Sequence, residues 1–509
     1  MRGRRTKCLH IPSEGPAVSH AAGAGGGRFR VKSRLPIPAP SSPLSRAAHS
    51  DQPPEPTGLS RSERRAALGL AGIYGSRMLG LFLILPVFAL YAEDLAGATP
   101  LLTGLAIGIY GLTQALLQIP YGLLSDRLGR KPVILAGLLV FALGSVVAAL
   151  ATDIWWIIAG RALQGSGAVA AAVMALAADL TREDQRTKVM AMIGVTIGAS
   201  FMLAMISAPA LDAWVGVSGI FWLTALLALL GAAALLWVVP RPSSSARHRD
   251  AQPVPAMFRR VLGDGQLLRL DLGIFCLHLV LTAMFLVVPL ALRDAGLAPQ
   301  QHSLLYAPVM VLSIAAMVPF IILAERGGRM KSVFLGAIAT ITLAALLLWG
   351  ELGSFWGLAV ALWLFFVGFN LLEATLPSLV SKLAPADAKG TAMGVYSSSQ
   401  FAGAFVGGVA GGWVHQAYGI DGVMLLVVAA GTGWLLAASS MRNPGRHASR
   451  LLKVTVADEA AADALAVRLG GVTGVVEAVV VAADGVAYLK VDKDTLDQAA
   501  LDAIFAPGA

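Results

Sequence analysis

Cysteine is almost missing from this chain: two among 509 residues, Cys8 in a polar tail and Cys276 in an apolar run. That excludes a disulfide framework and a thiolate metal centre, both of which need several cysteines. Charge is scarce as well. Asp, Glu, Lys and Arg make up 14% of the chain, against about 25% in a soluble globular protein, so a water-soluble fold would lack the residues to cover its surface. There is no G-x-x-x-x-G-K-[ST] loop, no cluster of metal ligands and no nucleophile with its base, which argues against ATP hydrolysis and against an enzyme; neither a cofactor nor a metal is expected. What the chain has in abundance is apolar residues, 56% of the total. They gather into runs of about 20, each long enough to cross a ~30 Å hydrocarbon core as a helix. The sequence reads as a polytopic, all-α membrane protein with the lipid bilayer as its principal partner.

Twelve spans can be drawn, at about 67–92, 99–123, 132–151, 154–180, 188–212, 217–238, 268–293, 300–324, 332–352, 355–384, 390–414 and 421–441. They divide the chain into a disordered basic tail (1–65), a six-helix bundle (66–239), a linker with a short amphipathic basic helix (240–267), a second six-helix bundle (268–441), a linker (442–450) and a small domain (451–509). The basic residues fall on one side of the spans, from Arg127, Arg130 and Lys131 through Arg182, Arg326, Arg329 and Lys382 to Arg442, while the other side has Arg293 alone. Positive charge marks the cytoplasmic side, so both termini are cytoplasmic. The same topology accounts for the net charge of +9, and no nucleic-acid partner is expected.

The last segment alternates and turns in the order βαββα, a small α+β ferredoxin-like arrangement lacking its final strand. It carries nine acids and four bases from Leu451 onward, which suits docking on the basic cytoplasmic face, although a solvated surface explains the charge equally. Its first loop, VADEAA, lacks the Cys-x-x-Cys that a metal-carrying module of this order needs. A small-ligand sensor, a self-association module and a brace on the membrane domain all remain open.

The chain also repeats itself. Between spans 2 and 3 it reads PYGLLSDRLGRK from Pro120, and between spans 8 and 9 it reads PFIILAERGGRM from Pro319. Proline, leucine, acid, arginine, glycine and arginine recur in register at equivalent places of the two halves, the mark of two bundles related by an axis along the membrane normal.

With twelve spans around it, Gly122, Asp126, Arg127, Gly129, Arg130 and Lys131 resemble the G-x-x-x-D-R-x-G-R-K signature of the major facilitator superfamily, and Arg161, Gln164, Gly165 and Gly167 resemble its R-x-x-Q-G-x-G element in span 4. Spans 1, 7 and 10 with the appended small domain resemble the YajR-type branch, regarded as proton-driven drug exporters. The resemblance implies two pseudo-symmetric six-helix bundles, a bacterial cytoplasmic (inner) membrane location, and export of a small, amphipathic substrate by proton antiport. It implies as well a pairing of Arg130 with Asp179. One departure stands out: the Gly-rich span 5 pattern of the antiporters is GASFMLAMISAPAL here, with Ala208 where glycine is usual. Uptake by proton symport therefore stays open as the alternative, and so does a non-transporting membrane sensor.

Several side chains are singled out for chemistry. Asp126, at the cytoplasmic end of span 2, lies level with Gly390 and Thr391 at the start of span 11, where a carboxylate meets free N–H groups and the positive end of a helix dipole. With Gly122, Arg127, Gly129, Arg130, Lys131 and Asp179 it forms a latch between the halves, repeated in the second half by Glu325, Arg326, Gly328 and Arg329. Charges inside spans cost about 2.5–3.5 kcal/mol each and so face a wet cavity or a partner. Glu373 in span 10 is the foremost proton carrier, with Arg77, Arg161 and His278 as further coupling candidates; the plain alternatives are an ion pair of Glu373 with Arg77 or Arg161, and His278 as a packing residue. Gln114, Gln118, Asn370 and Gln400 are candidates to line the cavity. Gly165 and Gly167 are read as close-packing positions.

Overall fold

The computed structural model describes residues 58–241, 255–385, 388–443, 447–454, 456, 458–482, 485–492 and 495–504. The expected tail therefore lies outside the described residues up to 57, as does the linker segment 242–254. The first helix begins earlier than the apolar run suggests. Ser60 accepts from the Glu63 backbone N–H and Glu63 closes a capping box on Ser60, so residues assigned to the tail form the first turn of α1 (Arg61–Phe82). Glu63 is buried and accepts from Arg182 Nε at 3.0 Å and from the Arg182 backbone N–H at 2.9 Å.

Span 1 is α1 followed by α2 (Leu85–Ala92), re-started with Pro86 in its first turn. Span 2 is α3 (Pro100–Leu128), capped by Thr99, and span 3 is α4 (Arg130–Ala149). Span 4 is split at Gly167 into α5 (Ile154–Ser166), capped by Asp153, and α6 (Ala170–Asp179). Spans 5 and 6 form one helical stretch, α7 (Glu183–Trp237), interrupted at Gly216 with φ 69°. Val189 and Ile193 share a buried cluster with Leu235, Val239 and Ala67, so the chain doubles back at that glycine. After α8 (Pro255–Leu262) come span 7, α9 (Gly265–Asp294); span 8, α10 (His302–Glu325); span 9, α11 (Met330–Gly350); and span 10, α12 (Phe355–Leu383). Spans 11 and 12 are α13 (Lys389–Ser439), reversed at Gly419 with φ 68°; Gly403 near its start meets Phe275, while Trp434 near its end meets Gly273. Among the described residues ten helical stretches are long and apolar enough to cross a membrane, and the two reversals make twelve crossings. A positive φ is nearly free for glycine and strained for other residues, which is why both reversals fall on one.

The small C-terminal region packs β1 (His447–Lys453), β2 (Val475–Val481) and β3 (Val486–Asp492) in the order β1-β3-β2, with both neighbours antiparallel to β3. With α14 (Glu459–Gly470) and α15 (Gln498–Ala503) the described residues follow the βαββα order expected of a ferredoxin-like arrangement. The first strand starts at His447, ahead of the expected Leu451, so the preceding linker is shorter than the sequence suggests. The core of this region is Leu469, Ala487, Leu489, Val491 and Leu501. Its contacts with the membrane domain include Lys490 Nζ, which donates to the Leu383 carbonyl at 3.1 Å, and Glu477, which pairs with Arg260 of α8 at 2.8 Å.

Candidate functional site

Span 11 is the spine of the site. Its glycines face two ways: a Cβ on Gly408 would lie 2.4 Å from the Gly104 carbonyl of span 2, and one on Gly407 would lie 2.3 Å from the Leu279 carbonyl of span 7. Small residues thus let three backbones approach closely, as helix packing in lipid requires. On the side away from the basic loops the seam between the halves is sealed. Arg293 pairs with Glu93 across it, the Leu101 N–H donates to Gln416 Oε1 at 3.4 Å, and Glu93, Thr99, Thr103, Leu286, Leu290 and His415 line a pocket of about 320 Å³ beside the pair. Deeper in, Phe201 of span 5 stacks against Phe369 of span 10, ring centres 5.3 Å apart, and contacts Phe82 of span 1 at 5.0 Å. These rings form a plug joining the two halves.

Glu373 sits one turn past Phe369, on the basic side of the plug. Its Oε1 lies 3.4 Å from His278 Nε2, and its side chain is 31% exposed. Gln400 of span 11 donates to the same Nε2 at 2.8 Å, and His278 Nδ1 lies 3.3 Å from the Ile274 carbonyl. His278 is therefore a neighbour of the carboxylate, and among the described residues Glu373 pairs with no arginine. Arg77 donates to Gln114 Oε1 at 2.6 Å and lies over the Tyr110 and Phe141 rings. Arg161 donates to Gln164 at 2.9 Å and lies over the Tyr110 ring as well. Both arginines belong to the first half, and Glu373 with His278 to the second.

Of the cavity-lining candidates, Gln114 and Gln118 are buried and form a string rather than a wall: Gln114 Nε2 donates to Gln118 Oε1 at 3.3 Å, and Ser397 Oγ of span 11 donates to the same oxygen at 3.2 Å. Asn370 donates to Ser313 Oγ at 3.0 Å, tying span 10 to span 8. Tyr110, Ser313 and the phenylalanine plug were not legible as site residues; the closely spaced Phe365, Phe366 and Phe369 just ahead of Glu373 were the one signal for the plug.

At the basic end, Arg130 pairs with Asp126 and with Asp179 at 3.2 Å, and donates to Ser125 Oγ at 2.7 Å. Asp126 is thus engaged within its own half, not with the start of span 11. Lys131 Nζ donates to the Leu235 carbonyl at 3.0 Å and to that of Val239, closing the end of span 6. Arg127 is exposed. Gly129 has φ 93° and its counterpart Gly328 has φ 64°, so both repeats use a glycine at a positive φ, although the second leaves its helix earlier, at Glu325 against Leu128. A Cβ on Gly122 would meet Ala171 only at 3.5 Å, ordinary contact, and packing does not demand that glycine. The second repeat pairs with opposite sign: its acid Glu325 accepts from Lys382 of span 10 at 2.8 Å, where the first uses its base on Asp179 of span 4. Arg326 has an interaction of its own, and Arg329 is the residue before α11. Gly165 and Gly167 are close-packed, their added Cβ atoms falling 2.1 Å from Thr113 Oγ1 and 2.4 Å from the Gly137 carbonyl.

Comparison with known proteins agrees with this architecture. The sequence profile of the Major Facilitator Superfamily matches residues 70–408 and 270–455. The chain is 48% identical over 430 residues to the inner membrane transport protein YajR of Escherichia coli K12, covering 84% of this chain and 94% of that protein. It is 26% identical over 341 residues to the multidrug resistance protein MdtH of Edwardsiella ictaluri, covering 67% and 84%. Among solved structures, a bacterial homologue of the human lysosomal transporter Spinster, captured inward-facing and occupied, superposes with a TM-score of 0.61 at 14% identity, covering 75% of this chain and 96% of the other. Twelve crossings in two repeated halves, the paired loop motif and the profile match lead to one assignment: the chain belongs to the Major Facilitator Superfamily, a family of secondary transporters rather than enzymes.

Proposed function

We propose that the chain exports small amphipathic compounds from the cytoplasm in exchange for protons, in a bacterial inner membrane with both termini cytoplasmic, and that Glu373 with His278 carries the proton. The observation behind this reading is the placement of Glu373 Oε1 at 3.4 Å from His278 Nε2, on the cytoplasmic side of a plug that closes the outer seam. A carboxyl there is neutral when desolvated and ionised when water or a cation reaches it, so substrate entry drives proton release and the bound proton and the substrate exclude each other. The names of two relatives, an inner membrane transport protein and a multidrug resistance protein, support location and substrate class.

In this arrangement the two halves rock around the midplane site. With the outer seam closed, Arg130 holds Asp126 and Asp179 together within the first half; in the outward-open state Asp126 turns to the N-terminus of span 11 at Gly390 and Thr391, and the loop becomes the latch. Uptake by symport is the second reading, favoured by Ala208 in span 5, a buried residue where antiporters usually have glycine.

Proton movement in proteoliposomes under an imposed pH gradient tests the reading, across a panel of lipophilic cations and small metabolites. Glu373→Gln is expected to lower compound-coupled proton flux about 100-fold, within the range that a positioned acid or base contributes, and Asp126→Asn to slow exchange in both directions. The sign of the flux separates antiport from symport. Coupled flux that persists in Glu373→Gln refutes the carboxylate's role, and binding without counterflow of labelled compound points to a sensor.

A further inference from the structure

Two short hydrogen-bonded strings meet on one turn of span 11. From the first half, Arg77 donates to Gln114, Gln114 donates to Gln118, and Ser397 donates to the same Gln118 oxygen across the seam. In the second half Gln400 reaches His278, which stands beside Glu373. Residues three apart on a helix share a face. The turn from Ser397 to Gln400 thus holds the first half with one side chain and His278 with another.

The bonds at His278 determine where its proton sits. A backbone carbonyl only accepts, so the Ile274 contact places a hydrogen on Nδ1, and a neutral ring then offers a single lone pair, on Nε2. The Gln400 amide N–H occupies that lone pair at 2.8 Å. Glu373 Oε1 approaches the same atom at 3.4 Å and is buried without a hydrogen-bond partner. Gln400 and Glu373 therefore compete for one nitrogen. Glu373 on span 10 is the titratable group at the ring, and Tyr396 on span 11 lies within electrostatic range of Glu373 and of Asp271 on span 7.

We infer that Gln400 is a positioning residue for the Glu373–His278 couple, holding Nε2 while Ser397 is tied to Gln118 and yielding it to Glu373 when rocking of the halves breaks that tie. In the yielded state the carboxyl O–H bond breaks, an N–H bond forms at the Nε2 lone pair, and a carboxylate faces an imidazolium with no proton gained or lost by the pair. Proton exchange is in this way gated by the seam. The inference rests on the reading of Glu373 as the proton site.

The test is nitrogen-15 spectroscopy of the full chain with labelled histidine in lipid nanodiscs, with His278 assigned by difference against His278→Gln. The parent is expected to show a neutral ring with hydrogen on Nδ1 and a hydrogen-bonded Nε2. Gln400→Leu and, separately, Ser397→Ala should move the Nε2 resonance in the same sense, and Ser397→Thr should restore it. Gln118→Leu replaces Ser397→Ala should that variant fail to fold. A resonance unmoved by Gln400→Leu, or moved by it but not by Ser397→Ala or Gln118→Leu, overturns the inference. Because the readout is spectroscopic, a Glu373→Gln protein that still couples protons, together with the expected spectra, removes the proton-site reading alone; loss of coupling with unmoved spectra removes this inference alone.

Discussion

Glu63 illustrates how a single side chain can extend a span beyond its apolar run. It is buried at the first turn of span 1 and holds both the backbone N–H and the guanidinium of Arg182, in the turn that follows span 4. Hydrogen bonds to charged groups contribute about 1.5–3 kcal/mol each way of counting, so Glu63→Ala is expected to lower the unfolding free energy by roughly that amount, read as a fall in thermal midpoint in detergent. Glu63→Gln, which keeps the capping geometry, should recover part of it. The contrast with Arg77 and Arg161 is instructive. Their charges are also buried, but they are met by amide oxygens and ring faces, an arrangement that leaves the Glu373 carboxyl beside a histidine.

Among the elements, spans 2 and 11 approach backbone to backbone. Their contact runs from Gly104 and Gly408 to Gln118 and Ser397, and an added Cβ on Gly104 would fall 2.0 Å from the Gly408 carbonyl. Gly104→Ala cannot be accommodated by a side-chain shift, since the obstacle is backbone. The variant is expected to hold the outer seam apart, so that a Thr103→Cys reporter, buried in the parent geometry, reacts several-fold faster with a membrane-impermeant thiol reagent in a background with Cys8 and Cys276 replaced by serine. Equal rates with and without Gly104→Ala would show that this seam does not govern access.

For the whole molecule, the question is how the small C-terminal region bears on the spans. Lys490 reaches the carbonyl of Leu383 at the end of span 10, the helix that carries Glu373, and a cation there meets the negative end of the helix dipole. Burial holds its ammonium below the usual lysine range, opposed by the charges of Glu477 and Asp264. A lysine whose docked pKa is lowered makes docking more favourable as pH rises through that lowered value toward the undocked one, and the gain is complete above it. Docking measured by energy transfer between dyes on β2 and α8 is therefore expected to tighten with rising pH below the free-lysine value of 10.5, and to lose that slope in Lys490→Met. An identical slope in the variant would place the titrating group elsewhere.

Much of this was written in the sequence. The scarcity of charge and the apolar runs determined a membrane protein of twelve crossings, because a helix must satisfy its own backbone in lipid and length alone then sets the count. The recurrence of PYGLLSDRLGRK as PFIILAERGGRM determined two equivalent halves, and the glycine kept in both copies marked the turn that needs a positive φ. Glu373 was legible as costly and therefore purposeful. What tertiary structure decided was partnership: that Glu373 meets His278 and not an arginine, that Arg130 keeps Asp126 within its own half, that Gln114 and Gln118 are buried links, and that Glu63 belongs to a helix. Beyond the local pairs Arg130–Asp126 and Gln114–Gln118, these are contacts between residues far apart in the chain, on helices whose rotation about their own axes follows from small-residue packing against several neighbours at once, and no local pattern of residues encodes that rotation.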